Sequence, residues 1–381
     1  MYYITVKLPV MYHQMSFEEF MFGGDDFQDL TRNKNETATR TYEVETISER
    51  FKRKCDVLSL IRKLESFNET YASLYEKKRA ELYHTFFIPK KSGGLRRIDA
   101  PEYNLMNALR NLKSIFENDF GALYHTNAYA YIKNRSTIDA LKRHQYNQSR
   151  WFGKYDLSNF FGSTTLEFVI HQFEMIYPFC EVLKFAKGRE QLTKALDLAF
   201  LNGGLPQGTP ISPTITNIMM IPIDYKLSNM LRDYKCQHYV YTRYADDFQI
   251  SSKYDFRFKE IERMIVNTLA EFGAPFQLNA KKTRYGSNAG QNWNLGLMLN
   301  SENNITVGHK KKRQFEAMLA SYVMDKKNGI TWDKNDIQVM EGLRNYYKMV
   351  EGQTIDNIVA HVGNKFNVDI VDMICKDLKQ N

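Results

Sequence analysis

Cysteine is scarce in this sequence of 381 residues. The four cysteines, Cys55, Cys180, Cys236 and Cys375, show no CxxC spacing, which argues against a zinc site and against a disulfide framework. No apolar run approaches the ~20 residues that a membrane span needs, and the first ten residues lack the layout of a signal peptide. We therefore expect a cytoplasmic protein with no membrane partner.

Acidic residues are fewer than basic residues. There are 44 Asp and Glu against 52 Lys and Arg, which gives a formal net charge of +8 at pH 7. A basic balance suits a polyanionic partner but says nothing about the fold. A hydrophobic content of 43%, with 25 Phe and 24 Tyr, supports a sizeable core, and the length allows two or three packed units.

Two adjacent aspartates, Asp246 and Asp247, lie between two short runs of aromatic and β-branched residues at 239–241 and 248–250. Such runs are typical of strands, so the pattern predicts a β-hairpin with Ala245, Asp246 and Asp247 at its tip. Adjacent carboxylates repel each other, and a divalent cation removes that conflict because hard cations bind carboxylate oxygens. For a bare Asp-Asp pair a solvated acidic turn is the commoner interpretation, so the surrounding motifs decide.

A third carboxylate, Asp156, ends a predicted strand over residues 151–156. Thr164 or Thr165 would cap the helix that follows, which we expect to run to about residue 177. An aspartate at a strand end, where the backbone turns away, is well placed to hold a metal ion. The alternative interpretation is an ordinary turn or cap residue.

Residues 85–101 predict a second hairpin, with a basic, glycine-containing turn between two strands. Its tip and return strand carry four basic side chains: Lys90, Lys91, Arg96 and Arg97. Such a hairpin can fold over a triphosphate, since arginine makes bidentate contacts with phosphate. A solvated basic turn is an equally good interpretation of this hairpin alone.

Two further segments could approach a ligand. Residues 202–213 contain three glycines and three prolines, which predicts a constrained loop whose backbone can come close to a ligand; a rigid structural loop is the alternative. Residues 127–136 interleave aromatic with basic side chains, which suits base stacking and phosphate contact; a half-buried strand followed by a loop is the alternative.

Helical periodicity dominates both ends of the chain. Residues 46–67 and 69–84 predict amphipathic helices, and residues 336–350 predict the clearest late helix. The apolar stripe of that late helix is more typical of a core than of a binding surface; its members are Leu343, Tyr346, Tyr347 and Val350.

Taken together and in this order, the motifs resemble those of reverse transcriptases. Tyr244-Ala245-Asp246-Asp247 matches the Tyr-x-Asp-Asp box of that family. Residues 205–213, followed by Asn217, match its Pro-Gln-Gly box with the Ser-Pro tail, and residues 89–96 match the hairpin of the fingers. Joint occurrence in the right order is far more specific than any single short motif. The resemblance covers about residues 86–300 and extends weakly to about 350.

The resemblance implies an α+β, right-hand polymerase fold. The palm would be an antiparallel sheet backed by helices, the fingers would carry the basic hairpin, and the thumb would be helical. We therefore expect a mainly helical N-terminal extension at 1–84, fingers and palm at 85–300, and a helical thumb and C-terminal region at 301–381.

The resemblance also implies an active site. Asp156 and Asp246 would hold two Mg²⁺ ions roughly 3.5–4 Å apart, with Mn²⁺ as an alternative ion. Asp247 would complete the set of catalytic, metal-binding carboxylates. Mg²⁺ bound there would activate a primer 3′-hydroxyl and stabilise the leaving pyrophosphate.

Six residues would bind the incoming nucleotide according to the same resemblance: Lys91, Arg96, Phe161, Gln207, Gly208 and Lys282. Lys91 and Arg96 would clamp the triphosphate, and Gln207 would contact the nucleotide beside Gly208. Phe161 follows Asp156 by five residues and matches the aromatic side chain that rejects a 2′-hydroxyl. Lys282 would assist proton transfer or bind phosphate.

The compact chain is similar to bacterial stand-alone reverse transcriptases of the retron and the defence-associated or abortive-infection types, within the group II intron-like lineage. Residues 139–144 and 294–297 depart from two elements that retron enzymes carry, which favours the defence-associated type. The implied function is synthesis of cDNA from dNTPs on a partner noncoding RNA, with a DNA product or primer, in anti-phage defence.

Three other functions stay open at this point. A polymerase of the same fold could work without a template or be primed by protein, and a non-catalytic RNA-binding scaffold could keep the fold. An RNA-dependent RNA polymerase is the third, although Phe161 and the Tyr244 box favour deoxynucleotides. The sequence leaves open whether a protein partner or a second copy of the chain takes part.

Overall fold

The structure is a computed structural model that describes residues 47–90, 93–118, 124–235, 237–289, 293 and 296–380. Lys91, predicted to bind the triphosphate, and residues 1–46 of the predicted N-terminal extension lie outside the described residues. None of the helices within the described ranges is long and apolar enough to cross a membrane.

A four-stranded antiparallel sheet lies at the centre of the fold. Its strands are β3 (Trp151–Asp156), β4 (Val240–Tyr244), β5 (Asp247–Ser252) and β6 (Arg284–Ser287), and their order across the sheet is β4-β5-β3-β6. The predicted acidic hairpin is present, since Tyr244 pairs with Asp247 across a two-residue turn. In the other direction β5 pairs with β3, and this register places Asp156 directly opposite Asp247.

Helices back this sheet, and all of them except Thr137–Tyr146, whose Leu141 belongs to a second cluster, share one large hydrophobic core with it. They are α1 (Ile47–Thr70), α2 (Ala72–Tyr75), α3 (Tyr103–Asn118), α4 (Thr137–Tyr146), α5 (Phe160–Ser163), α6 (Leu166–Phe173), α7 (Phe179–Val182), α8 (Ala186–Asp197), α9 (Ser212–Met219), α10 (Ile221–Asp233) and α11 (Phe258–Glu271). Thr165 caps α6, because its hydroxyl accepts a hydrogen bond from the backbone of Phe168 at 3.2 Å. The helix ends four residues before the predicted residue 177.

The predicted basic hairpin is a separate two-stranded ribbon, β1 (Tyr83–Pro89) and β2 (Leu95–Pro101), which follows a short 3₁₀ helix at Arg79–Leu82. Glycine is required at its turn, since Gly93 and Gly94 both have positive φ angles of 86° and 79°. The outer half of the ribbon is solvent-exposed on both faces, including Phe87 and Leu95. Near its base, the backbone N–H of Asp99 donates to the carbonyl of Gln207 at 2.8 Å.

The C-terminal part forms a second hydrophobic cluster. Its elements are β7 (Met298–Leu299), β8 (Ile305–Thr306), α12 (His309–Lys327), α13 (Lys334–Phe366) and α14 (Ile370–Gln380). The helix predicted at 336–350 is part of the much longer α13, which is kinked at Glu351, where φ is −138° and ψ is 61°. Its predicted apolar stripe does pack into this cluster, with Tyr347 buried.

The side chain at the kink in α13 is a carboxylate with three hydrogen-bond donors. Glu351 accepts hydrogen bonds from the hydroxyl of Thr306 at 2.8 Å, from the backbone of Val307 at 2.9 Å and from Lys312 at 2.9 Å. All three donors lie about forty residues earlier in the chain.

The mixture of helices with antiparallel sheets confirms the predicted α+β class.

Candidate active site

The three predicted carboxylates converge at one end of the central sheet. Ala245 and Asp246 form the turn between β4 and β5, and Ala245 adopts a left-handed φ of 56°. The carbonyl of Asp246 accepts a hydrogen bond from Leu157 at 3.0 Å, just beyond the end of β3. Because Asp156 pairs with Asp247 in the register of the sheet, all three aspartates come from two adjacent strand ends.

Two lysines neutralise part of this negative charge. Lys282 donates to both carboxylate oxygens of Asp156, at 2.9 and 3.1 Å, and Lys154 donates to Oδ2 of Asp247 at 2.6 Å. The other oxygen of Asp247, Oδ1, is buried and accepts no hydrogen bond from any residue that the structure describes. A buried carboxylate oxygen without a donor is costly, so the two lysines leave Oδ1 of Asp247 uncompensated.

Burial and mutual repulsion disfavour the charged forms of the aspartates. Burial raises the pKa of Asp246, and the charge of Asp156 acts in the same direction. Burial also raises the pKa of Asp247 to about 6, although the ammonium of Lys154 opposes this shift. These are the effects expected where carboxylates crowd together in a poorly solvated place.

The donor set fits divalent cations that also bind a substrate. In the described part of the chain, no three His, Cys, Asp or Glu side chains form a complete metal-ligand set by themselves. The chain offers Asp156, Asp246 and Asp247, whose hard oxygens suit Mg²⁺ or Mn²⁺. The buried, undonated oxygen of Asp247 is the observation that a nearby cation would explain best.

The structure places four of the six predicted nucleotide-binding residues on three neighbouring segments. Arg96 lies exposed on β2, and the loop of Gln207 and Gly208 contacts the same strand. Gly208 has a φ of 123°, and a Cβ atom there would lie 2.9 Å from the carbonyl oxygen of Asp99. Phe161 on α5 is half-buried, and its carbonyl accepts a hydrogen bond from Leu205 at 3.0 Å.

Lys282 reaches the site from a turn after residue 278. Leu278 forms a bridge with Leu157, and the backbone N–H of Asn279 donates to the carbonyl of Asp156 at 2.7 Å. These bonds bring the lysine to Asp156 across 126 residues of sequence. Its side chain stays 59% exposed, so it can contact both Asp156 and a ligand in solvent.

Sequence reasoning missed two residues near the carboxylates, Lys154 and Arg243, and included Tyr131 among the aromatic residues at 127–136 that suit base stacking. Burial raises the pKa of Tyr131, and the charge of Asp246 adds to this while Arg96 opposes it. Lys154 and Arg243 are charged residues within strands. Because side chains alternate between the two faces of a strand, Arg243 shares the face of buried Tyr241, and a cation on a buried face was the available signal.

A family model described as "Reverse transcriptase (RNA-dependent DNA polymerase)" matches residues 88–316, well over half of the chain. Similar curated proteins include the retron Ec73 reverse transcriptase of Escherichia coli, 32% identical over 215 residues, with 53% of this chain and 64% of the relative covered. The retron Ec83 reverse transcriptase of Escherichia coli is 25% identical over 303 residues, with 76% and 90% covered. The retron Mx65 reverse transcriptase of Myxococcus xanthus is 26% identical over 253 residues, with 64% and 56% covered.

Among solved structures, the chain is similar to telomerase from Candida albicans in complex with a fragment of telomeric RNA, with a TM-score of 0.43 and 12% identity over 78% of this chain and 63% of that one. It is also similar to apo telomerase from Candida tropicalis, truncated from the C-terminal domain, with a TM-score of 0.40 and 13% identity over 59% and 54%.

Proposed function

Since the chain belongs to the reverse transcriptase (RNA-dependent DNA polymerase) family, we propose that it is an RNA-directed DNA polymerase, a nucleotidyltransferase that makes cDNA. The observation that carries this proposal is the convergence of Asp156, Asp246 and Asp247 at one end of the central sheet. Three poorly solvated carboxylates beside lysines suit a reaction in which cations and phosphates meet.

Reverse transcriptases use divalent metal ions, and Asp156, Asp246 and Asp247 would hold them, with two Mg²⁺ as the proposed ions and Mn²⁺ as the alternative. Bound there, the ions would supply activation of a primer hydroxyl and neutralisation of the leaving pyrophosphate. Lys154 would orient Asp247 through their 2.6 Å bond. Lys282 would orient Asp156 and donate to a phosphate or to the leaving group.

The nucleotide would lie between the ribbon and the loop of Gln207. Arg96 is exposed, so its guanidinium can bind a triphosphate, and Lys91 would assist it from the turn of the ribbon. The backbone at Gly208 and the side chain of Gln207 would contact the base and sugar, while Phe161 would exclude a 2′-hydroxyl.

The partners we propose are an RNA template, a DNA primer or product and dNTPs. We also propose a noncoding RNA as template, a role in bacterial anti-phage defence and a cytoplasmic location, as the resemblance to bacterial stand-alone reverse transcriptases implies. The net charge of +8 suits such polyanionic partners. We assign fingers and palm to residues 85–300, the thumb and C-terminal region to 301–381, and a mainly helical extension to 1–84.

Primer extension on a defined RNA template tests the proposal. The purified protein, Mg²⁺ and dNTPs should yield DNA complementary to the template. The Asp246→Asn variant changes one carboxylate into an amide of the same shape and should abolish this product. Asp356→Asn is the matched control, because Asp356 is an exposed partner of Lys348 on α13, and it should extend primers like the unmodified protein.

Sequencing both the product and any co-purified nucleic acid separates the alternatives. Product complementary to a bound RNA would identify the template. Product without a complement, or product attached to the chain itself, would replace RNA-directed synthesis with untemplated or protein-primed synthesis. Absence of product with every dNTP and template would leave an RNA-binding scaffold and would overturn the catalytic proposal.

A further inference from the structure

A polar network lies beneath the acidic turn, and the proposed chemistry does not use it. Arg243 on β4 and Asp224 on α10 form an ion pair whose side chains are both 0% exposed. The contact is bidentate, with Nε to Oδ1 at 2.8 Å and Nη2 to Oδ2 at 2.7 Å. The hydroxyl of Tyr241 also donates to Asp224 at 2.6 Å. This pair therefore has the partners that a desolvated ion pair requires.

One nitrogen of Arg243 is left over from this pairing and is directed at the turn. Nη1 donates to the carbonyl of Ala245 at 3.1 Å. Ala245 has a φ of 56°, in the left-handed region that costs a residue with a Cβ atom about 1–2 kcal/mol. The guanidinium thus holds the carbonyl of the unfavourable turn residue that immediately precedes Asp246.

The same nitrogen also donates to Oδ1 of Asn217, on α9, at 3.3 Å. The amide of Asn217 in turn donates to the carbonyl of Ala130 at 2.8 Å. Ala130 belongs to the aromatic loop, which we define as residues 127–131. A single buried side chain, that of Asn217, therefore contacts both the cation under the acidic turn and the backbone of this loop.

The backbone of Arg243 completes the connection. Its N–H donates to the carbonyl of Asn127 at 2.7 Å, and its carbonyl accepts from Tyr129 at 2.9 Å, so the loop extends the sheet along β4. Tyr131 ends the loop with a φ of 60° and is 57% exposed. The loop is therefore fixed to β4 by its backbone and reaches solvent at Tyr131.

We propose that Asn217 and Arg243 are positioning residues that fix the acidic turn and the aromatic loop relative to each other. Resting on the proposed polymerase function, this inference assigns the pair the task of holding the loop that ends at Tyr131 in a fixed position relative to the turn that precedes Asp246, so that template or nucleotide meets the carboxylates in one geometry. Asp224 alone would satisfy the charge of Arg243. The bonds to Ala245 and, through Asn217, to Ala130 are additional, and both end on backbone next to residues of the site.

The decisive variant is Asn217→Leu, which keeps the number and branching of the side-chain heavy atoms and removes both hydrogen bonds. Thr216→Val is the matched control, because Thr216 is its neighbour on α9, equally buried, and donates to the carbonyl of Pro213 at 2.9 Å, outside the network. Asn217→Asp is the second variant; it keeps an acceptor for Arg243 and loses the donor to Ala130.

Steady-state single-nucleotide extension gives the first measurement. We expect Asn217→Leu to lower kcat by about 10–100-fold, because small misplacements of reacting groups cost that much, while KM for the dNTP changes little. Thr216→Val should lose similar thermal stability and keep its kcat. Equal losses of kcat in the two variants would reduce Asn217 to an ordinary core residue and overturn the inference.

Hydrogen–deuterium exchange gives a second measurement that needs no activity. Asn217→Leu should exchange faster than the unmodified protein in both segments 125–135 and 240–252, whereas Asn217→Asp should do so mainly in 125–135 and Thr216→Val in neither. Unchanged exchange in both Asn217 variants would overturn the inference. If the unmodified protein makes no DNA, the proposed function fails, but this exchange pattern still decides whether Asn217 couples the two segments.

Discussion

Replacing Arg243 with methionine should destabilise the protein severely. The change leaves the carboxylate of Asp224 fully buried. Among the residues that the structure describes, the hydroxyl of Tyr241 is then its remaining hydrogen-bond donor. Breaking a buried ion pair by removing one partner costs about 3–5 kcal/mol, since the other charge stays uncompensated. A folded domain is stable by only about 5–15 kcal/mol, so this single change should remove a large share of the total.

Urea unfolding followed by circular dichroism measures this loss as a difference in the free energy of unfolding. The matched variant is Arg243→Met combined with Asp224→Leu, which replaces both charges with apolar groups of similar size. Because such replacements are often neutral or stabilising, the double variant should recover at least about half of the loss. Its kcat should nevertheless stay low, since the carbonyl of Ala245 and the amide of Asn217 still lack the guanidinium.

Two results would contradict this reasoning. A loss below about 1 kcal/mol for Arg243→Met would mean that the pair is not desolvated, because exposed ion pairs contribute only that much. Full recovery of kcat in the double variant would mean that the guanidinium stabilises the fold without positioning the acidic turn.

Three further predictions concern other parts of the site. Burial lowers the pKa of His144 to about 3, from 6.5 when unfolded, and its ring contacts the hydroxyls of Thr242 and Ser251. The unfolded chain therefore binds more protons between these values, so the free energy of unfolding should fall as pH drops below about 6.5, and His144→Gln should flatten this dependence in urea titrations. Gly208→Ala should raise KM for dNTPs in extension assays, since a Cβ there collides with the backbone of β2. Phe161→Ala should increase incorporation of ribonucleotides relative to deoxynucleotides, measured by competition; an unchanged ratio would remove Phe161 from sugar selection.

Local patterns predicted the acidic hairpin and the strand of Asp156, because alternation of side chains and short β-rich runs determine such elements. The order of the motifs was sufficient for membership of the reverse transcriptase family and for the right-hand polymerase fold, and both predictions are confirmed. The similar proteins are retron enzymes, although residues 139–144 and 294–297 favoured the defence-associated type. The roles of the site residues stay predictions.

Features that depend on distant partners could not be predicted in the same way. Lys282 was recognised as basic and close to the site, but its bond to Asp156 spans 126 residues. From the sequence, Lys154 and Arg243 could not be distinguished from other strand residues, because the carboxylates that they bind lie on other elements. The predicted end of the late helix near residue 350 coincides with the kink at Glu351, whereas its continuation as one element to Phe366 was not predicted. The hydrogen-bond donors to Glu351 lie on other elements.

The kink at Glu351 divides the long helix α13 into two segments. The seventeen residues of α13 before the kink and the fifteen after it both contribute buried residues to the same hydrophobic cluster as α12. Three hydrogen bonds to the carboxylate of Glu351 join the kink to Thr306, Val307 and Lys312, and Tyr322 and Lys326 on α12 bind Asp377 of α14. The kink is formed without proline, so an exchange of Glu351 alone can change how the two segments of α13 are oriented.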